Sequence, residues 1–174
     1  MRVREDAPSA VRRLAREKAQ QVFSRAEGYP VLAADTLVYR ATRVFGKPAG
    51  RADAARMLRE LAGRIHYVAT AVCLITSDTL LERIAVSQVR FAAMSLPEID
   101  WYVATGEPLD KAGAYAVQGL GARFIQEIRG SYSNVVGLPA REVYEMLLEA
   151  GFGPLALPPP GSVSTRKSVP RKKR

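Results

Sequence analysis

Two long runs of strand character lie near the middle of the sequence, separated only by a short polar connection. The runs extend from Ile65 to Thr76 and from Leu80 to Phe91, and Ser77-Asp78-Thr79 joins them. Two such runs around a short polar turn predict a β-hairpin, in which the strands are antiparallel. A chain with this hairpin needs a sheet with at least one antiparallel pair, which excludes a purely parallel sheet.

Helical patterns alternate with further strand patterns on both sides of the hairpin. Strands are predicted at Val31 to Val38 and at Ala122 to Ile128. Helices are predicted in four segments: from Ser9 as the cap to about Gly28, from Asp53 to Gly63, from the capping box Ser95-Leu96-Pro97-Glu98 to Gly106, and from Ala140 to Ala150. Helices interleaved with strands predict an α/β fold with a mixed central sheet flanked by helices.

The end of the sequence differs in composition from the rest. Residues 153–174 contain Pro158-Pro159-Pro160 and six basic residues but no acid, whereas the preceding residues hold 20 Lys and Arg against 17 Asp and Glu. We therefore expect one folded domain over residues 1–152 and a disordered, Pro-rich basic tail over residues 153–174. Nucleic-acid contact is expected to be weak, non-specific and confined to this tail.

Cysteine, histidine and long apolar segments are scarce. Cys73 is the single cysteine and lies in an apolar run, which excludes an intramolecular disulfide and predicts a buried side chain. His66, the single histidine, lies in a strand pattern and is interpreted as a hydrogen-bonded structural residue. No apolar stretch approaches the ~18 residues of a membrane span, and no signal-peptide pattern opens the sequence, so we expect a cytoplasmic protein without membrane contact.

Several charged and polar residues occupy positions suited to ligand contact. Asp35 follows a short apolar run, where α/β folds present catalytic groups, although an acid there serves equally well as a cap. Lys47 lies in a stiffened turn and can reach a phosphate, whereas most loop lysines are only solvated. Asp110 and Lys111 either form an ion pair with each other, or Lys111 reaches a phosphate while Asp110 supports a metal or a lysine. Gln118, in a glycine-rich turn, offers a donor and an acceptor to a base or to nearby backbone.

Longer motifs around these residues resemble the Maf family of nucleoside triphosphate pyrophosphatases. They occur in the order and spacing of that family: Leu14-Ala15-Arg16-Glu17-Lys18-Ala19, Ala34-Asp35-Thr36, Gly46-Lys47-Pro48, Leu61-Ala62-Gly63-Arg64, Asp110-Lys111-Ala112-Gly113-Ala114-Tyr115, Gln118-Gly119 and Gly130-Ser131-Tyr132-Ser133-Asn134. The resemblance extends from about Leu14 to Gly151. It implies an α/β domain of the Maf and inosine-triphosphatase-like fold with an active-site cleft.

The resemblance also implies an activity and the residues that perform it. Members of the family hydrolyse nucleoside triphosphates between the α and β phosphates and release a monophosphate and pyrophosphate. Asp35 matches the proton acceptor, which also helps to hold a divalent cation, Mg or Mn, and Asp110 is a further candidate metal ligand. The resemblance implies a nucleoside triphosphate as the substrate and is compatible with a homodimer.

The phosphates and the base are assigned to different residues on the same resemblance. Lys47 matches a catalytic, phosphate-binding lysine, and Lys111 is a second phosphate-binding candidate. Thr36, directly after the acid, resembles the branch that acts on dTTP and UTP, and Gln118 supports the same branch as a base-reading amide. On the residues alone, Thr36 could equally be an ordinary β-branched strand residue.

The start of the sequence departs from the family pattern. The family opens with a strand, a Ser-Pro-Arg-Arg loop and a later acidic residue, and this sequence begins after the point where they would lie. An N-terminally truncated Maf-like domain is therefore expected, with reduced stability and reduced phosphate binding. The alternative is a catalytically impaired nucleotide-binding or regulatory protein, and a third possibility places the function in the basic tail.

Overall fold

A computed structural model describes residues 5–153 and arranges them as five strands, five α-helices and three short 3₁₀ helices. The α-helices are α1 (Ala7–Phe23), α2 (Arg51–Leu61), α3 (Leu96–Ala104), α4 (Tyr132–Val136) and α5 (Ala140–Glu149). The strands are β1 (Val31–Arg40), β2 (Arg43–Phe45), β3 (Ile65–Ile75), β4 (Leu80–Phe91) and β5 (Ile125–Arg129). The 3₁₀ helices, Glu107–Asp110, Ala112–Ala114 and Leu120–Phe124, lie together between α3 and β5.

The five strands form one sheet in the order β2-β1-β3-β4-β5. The predicted hairpin is confirmed as β3 and β4, and the α/β fold with helices on a central sheet is confirmed as well. The expectation of a mixed sheet is wrong for the described residues, because all four strand pairs are antiparallel. The reason is that α2 links β2 to β3, and β1 lies between these two strands, so the helix does not join neighbours.

Strand β1 pairs unequally along its two edges. Its full-length partner is β3, with Asp35 opposite Ala71 and Thr36 opposite Thr70. On the other edge, β2 pairs only with the last three residues of β1, Val38 to Arg40. Within the part of the chain that the structure describes, residues 31–37 therefore have one open edge, and that edge passes Asp35 and Thr36.

Helices cover both faces of the sheet. On one face, α1 packs its small residues Val11, Ala15 and Ala19 against β1 and β3, and this cluster contains the buried thiol of Cys73, as predicted. On the opposite face, α2, α3 and the 3₁₀ segment form the largest cluster, and α5 adds a smaller one around Met146. Burial of apolar area in these clusters is the main source of stability of the domain.

Most predicted boundaries agree with the structure, and the differences have local causes. The capping box at Ser95 and Glu98 is confirmed, since the amide of Ser95 donates to Glu98 Oε2 over 2.7 Å. The cap of α1 is Asp6 rather than Ser9, and the amide of Ser9 donates to Asp6 Oδ1 over 2.7 Å. The helix starts before Ser9 because Pro8 is favoured in the first turn of a helix. The last predicted strand begins at Ile125, after residues that form a 3₁₀ helix.

The predicted tail lies outside the described residues, apart from residue 153, and so does the proposed nucleic-acid contact. No helix among residues 5–153 is long and apolar enough to cross a membrane.

Candidate active site

A cleft of about 270 Å³ opens at the free edge of β1. It lies between α1, the loop after β2, the 3₁₀ segment and α4. Fourteen residues line it: Lys18, Ala34, Asp35, Thr36, Val38, Lys47, Val68, Asp110, Lys111, Ala112, Tyr115, Val135, Val136 and Gly137. The structure thus brings together five of the six residues that the sequence predicted for the site, and the sixth, Gln118, lines an adjoining cavity.

The alternation of side chains along β1 separates two of these residues. Ala33 and Leu37 pack in the cluster beneath α1, whereas Ala34 and Val38 pack in the clusters of the opposite face. Because successive strand residues point to opposite faces, Asp35 shares the face of α1, and Thr36 lies on the other. The cleft therefore reaches both faces of the sheet around the open edge of β1.

The partner of Asp35 is Lys18 of α1. The ammonium of Lys18 forms an ion pair with Asp35 Oδ1, and 14% of the Asp35 side chain remains exposed. The buried residues Ala15 and Ala19 hold this part of α1 against the sheet, which places Lys18 over β1. The sequence predicted the helix but missed Lys18 as a site residue.

A chain of hydrogen bonds fixes the hydroxyl of Thr36. Thr70 Oγ1 donates to the carbonyl oxygen of Asn134 over 3.0 Å, and the hydroxyls of Thr36 and Thr70 are 2.9 Å apart. Since a threonine has a single hydroxyl hydrogen, Thr36 must donate to Thr70. The remaining lone pairs of Thr36 Oγ1 are acceptors.

Asn134 ties the cleft wall to the sheet. Its Nδ2 donates to the carbonyl oxygen of Val68 over 3.0 Å and to Ser87 Oγ over 2.8 Å, so the buried side chain joins α4 to β3 and β4. Helix α4 begins at its cap Ser131 and ends at Gly137, whose φ of 119° lies in the region that favours glycine. These contacts hold α4, and with it the Val135 and Val136 wall of the cleft, against the sheet.

Two loops carry the remaining cations. The amide of Gly113 donates to the carbonyl oxygen of Gly46 over 3.1 Å, which brings the loops of Lys47 and Lys111 together. Gly113 has a φ of 72°, and a Cβ there would lie 3.0 Å from Val38 Cγ1, so close approach requires glycine.

Asp110 interacts with both of these cations. Lys111 Nζ donates to Asp110 Oδ1 over 2.6 Å. This hydrogen bond lowers the pKa of Asp110 below its ordinary value, and the charges of Lys111 and Lys47 lower it further.

A second, smaller cavity of about 130 Å³ adjoins the cleft. The two share the residues Lys111, Tyr115, Val135 and Val136, and Gln118 with Ala116 and Val117 completes the smaller cavity. The shared residues make the two cavities parts of one binding region, in which both carboxylates line the larger cavity and Gln118 lines the smaller one.

Comparison with known proteins identifies the family. The model of Maf-like proteins matches residues 2–150. The chain belongs to the Maf family. Similar proteins include the dTTP/UTP pyrophosphatases of Anaeromyxobacter dehalogenans (strain 2CP-C), with 52% identity over 82% of this chain and 73% of the relative, and of Shigella sonnei (strain Ss046), with 51% identity over the same shares. The dTTP/UTP pyrophosphatase of Anaeromyxobacter sp. (strain Fw109-5) is 48% identical over 95% of this chain and 81% of its own length.

The distribution of lysine in this Maf-like chain is unusual. Residues 1–153 contain only three lysines, Lys18, Lys47 and Lys111, although they hold 20 basic residues in all. All three line the same cleft, together with the two carboxylates Asp35 and Asp110. Three ammonium groups against two carboxylates leave one excess positive charge, which favours an anionic ligand. This scarcity was the signal in the sequence that would have identified Lys18.

The histidine lies behind Tyr115, an aromatic residue of the cleft lining. His66 is fully buried, and its Nε2 lies 2.9 Å from the hydroxyl of Tyr115. Burial lowers the pKa of His66 to about 4 and raises the pKa of Tyr115 above its ordinary value. His66 is therefore neutral at pH 7 and structural, as predicted.

The carboxylates of the cleft are suited to a hard cation. No group of three or more His, Cys, Asp and Glu side chains that could hold a metal occurs among residues 5–153. Asp35 and Asp110 are the acids of the cleft lining. Mg²⁺ is commonly held by one or two carboxylates together with substrate phosphates, so this donor set fits a cation that arrives with a nucleotide.

Proposed function

We propose that this protein is a nucleoside triphosphate pyrophosphatase that hydrolyses dTTP and UTP to the monophosphate and pyrophosphate. The observation that carries the proposal is the convergence of Lys18, Lys47 and Lys111 with Asp35 in one cleft. The names of relatives that are about half identical over most of their length support it. Because these relatives are named as enzymes, the alternative of an impaired binding protein is not favoured.

Asp35 is the proposed proton acceptor. Its carboxylate lies at the open edge of β1 and is oriented by the ion pair with Lys18. A water molecule beside Asp35 transfers a proton to the carboxylate while the water oxygen attacks the α-phosphorus. The bond from the α-phosphorus to the bridging oxygen breaks, and pyrophosphate leaves with that electron pair.

The lysines and a divalent cation are proposed to offset the charge of the triphosphate. Lys47 and Lys111 contribute positive charge from two loops that are hydrogen-bonded to each other. Asp35, with Asp110 as a further candidate, would hold Mg²⁺ or Mn²⁺. When bound, such a cation neutralises phosphate charge and polarises the reacting phosphate.

Thr36 and Gln118 are proposed to recognise the base. Thr36 Oγ1 retains acceptor capacity because its hydrogen is donated to Thr70. Thymine and uracil carry an N3–H donor, which an acceptor at Thr36 would bind, whereas cytosine has an acceptor at that position. Gln118, which lines the adjoining cavity, can both donate to and accept from the edge of the ring.

A nucleotide panel with product identification tests the proposal. Purified protein with Mg²⁺ is expected to release pyrophosphate and the monophosphate from dTTP and UTP faster than from GTP or ATP, and EDTA should abolish the release. Preference for a purine nucleotide contradicts the assignment of the base site. Release of orthophosphate, or full activity in EDTA, contradicts the reaction or the cation requirement.

A further inference from the structure

Glu107 is a partly buried carboxylate next to the binding region but outside the lining of either cavity. It accepts three hydrogen bonds: from the hydroxyl of Tyr102 over 2.7 Å, from the amide of Leu120 over 2.8 Å and from the amide of Gly121 over 2.9 Å. Two of the donors are backbone groups 13 and 14 residues away in sequence. One side chain therefore fixes the end of a distant loop.

Tyr102 fixes the other end of the same loop. Its hydroxyl donates to Glu107 and also accepts from the amide of Ala116 over 3.1 Å, and its ring is fully buried in the core. We call the Tyr102 hydroxyl and the Glu107 carboxylate the carboxylate clasp. The clasp holds the loop 116–121 at both ends, and Gln118 lies between these ends.

The loop lies so close to the clasp that side chains are excluded at two positions. A Cβ on Gly119 would lie 2.2 Å from Glu107 Oε2, and a Cβ on Gly121 would lie 2.4 Å from the Tyr102 hydroxyl oxygen. Both contacts are shorter than any van der Waals contact, so only glycine allows this approach. Gly119 and Gly121 thus allow the loop backbone to pack directly against the clasp.

The ionised form of Glu107 suits this set of donors. Burial raises the pKa of Glu107, but the hydrogen bonds from the amides of Gly121 and Leu120 and from Tyr102 outweigh burial and leave that pKa below its ordinary value. A carboxylate has only acceptors, so it can bind three converging donors, whereas a neutral amide would direct N–H groups at some of them.

We propose that Glu107 is a positioning residue for nucleotide recognition, which holds the loop 116–121 so that Gln118 faces the base. The inference rests on the proposed function of the site. Glu107 acts on the substrate only through Gln118. Asp35, Lys18 and Lys47 belong to β1, α1 and the loop after β2, which the clasp does not hold. Loss of the clasp therefore weakens selection of the base more than it slows the chemical step.

Glu107→Gln tests this inference in the full-length protein, assayed with dTTP and GTP. The glutamine keeps the size of the side chain but loses one acceptor and turns an amide donor towards the loop. We expect kcat/KM for dTTP to fall about tenfold, the scale of one charge-assisted hydrogen bond, chiefly through KM. For GTP, kcat/KM should stay within about twofold, so the preference for dTTP falls. Glu127→Gln is the matched control, since Glu127 pairs with Arg90 and Arg129 outside both cavities and should leave the preference unchanged.

Tyr102→Phe provides a second approach if Glu107→Gln folds poorly. It removes the hydroxyl that bonds to Glu107 and Ala116 but keeps the ring in the core. The preference for dTTP should fall here too. The double variant should lose less than the product of the two single losses, because both changes open the same clasp.

The outcomes separate this inference from the proposed function. An active wild type with the expected loss of preference in both variants supports the inference. Equal losses for dTTP and GTP, accompanied by a lower Tm, overturn it and make Glu107 only structural. An unchanged preference overturns it while leaving the proposed function intact, whereas a wild type inactive on every nucleotide overturns both.

Discussion

The two faces of β1 present different chemistry to the same cleft. On the face of α1, Asp35 meets a charged partner, Lys18, which a helix carries over the sheet. On the opposite face, the hydroxyl of Thr36 is hydrogen-bonded to a neutral group, Thr70, which in turn donates to the carbonyl oxygen of Asn134. The adjacent residues Asp35 and Thr36 thus have an ionic and a neutral partner, on opposite faces of the same strand.

This difference shows how a strand at a cleft edge can divide its tasks. An ionic pair is suited to proton transfer and phosphate charge, because both involve changes in charge. A fixed neutral hydroxyl is suited to distinguishing donors from acceptors on a base. We therefore expect changes on the Asp35 face to reduce turnover and changes on the Thr36 face to reduce selectivity.

The largest effect is expected from Asp35→Asn. The amide keeps the size of the side chain but cannot accept the proton from water, so kcat for dTTP should fall by roughly two orders of magnitude or more. Steady-state kinetics measures this loss, and circular dichroism checks the fold. Asp100→Asn, an exposed change outside the cleft lining, is the matched control. Near-native turnover of Asp35→Asn would make the acid merely structural.

Lys18→Met tests whether the charge opposite Asp35 matters. The variant keeps an unbranched chain over β1 but removes the ammonium, so we expect kcat to fall ten- to a hundredfold, the scale of a lost charge-assisted hydrogen bond. The preference for dTTP over GTP should not change. Arg25→Met, an exposed loss of charge beyond the end of α1, serves as the control. A shift in nucleotide preference with unchanged kcat would place Lys18 in recognition instead.

Thr36→Val changes the neutral face alone. Valine keeps the β-branched shape but removes the acceptor, so the ratio of kcat/KM for dTTP to that for GTP should fall about tenfold. The kcat for GTP should stay close to that of the wild type. Thr42→Val, in the exposed turn between β1 and β2, is the control. An equal loss for both nucleotides would show that Thr36 does not read the base.

The smallest effect is expected in the pH dependence of the stability of the protein, and it comes from His66. His66 has a folded pKa of about 4, below its value near 6.5 in an unfolded chain, because it is buried. As pH falls below 6.5 the unfolded chain takes up the proton first, so stability is lost between pH 6.5 and 4. The loss should be about 1 kcal/mol between pH 6.5 and 5.5.

Urea unfolding of the wild type and of His66→Gln at these two pH values measures this contribution. The variant lacks the titrating ring, so its stability should change less across the interval. The same slope in both proteins would exclude His66 as the source.

The sequence predicted the regular elements better than the irregular ones. The hairpin, α2, α3 and α5 carry periodic apolar residues or caps that encode them locally. Strand β2 has only three residues, too few for a strand pattern. Helix α4 has a cap at Ser131 and a glycine at its end, but its five residues are too few for a helical apolar pattern, and it is held in place by Asn134 binding to β3 and β4. The antiparallel order of the sheet was also missed, because it depends on which strand lies between β2 and β3.

The candidate site was predicted in the same uneven way. Asp35, Thr36 and Lys47 lie in short motifs, and the structure brings them to one cleft. Lys18 was missed because an exposed lysine on a helix is ordinary until the neighbouring strand is known. Glu107 was missed because its partners are distant backbone amides, which no sequence pattern specifies.

The division of tasks between the two faces of β1 can be tested in one set of kinetics. The measurement is the ratio of kcat/KM for dTTP to that for GTP in the wild type, Asp35→Asn, Thr36→Val and the double variant. The division predicts a ratio within about twofold of the wild type in Asp35→Asn, and the lowered ratio of Thr36→Val in the double variant, because residues with separate tasks show no coupling free energy even though they are neighbours. A ratio that falls as far in Asp35→Asn as in Thr36→Val would contradict it.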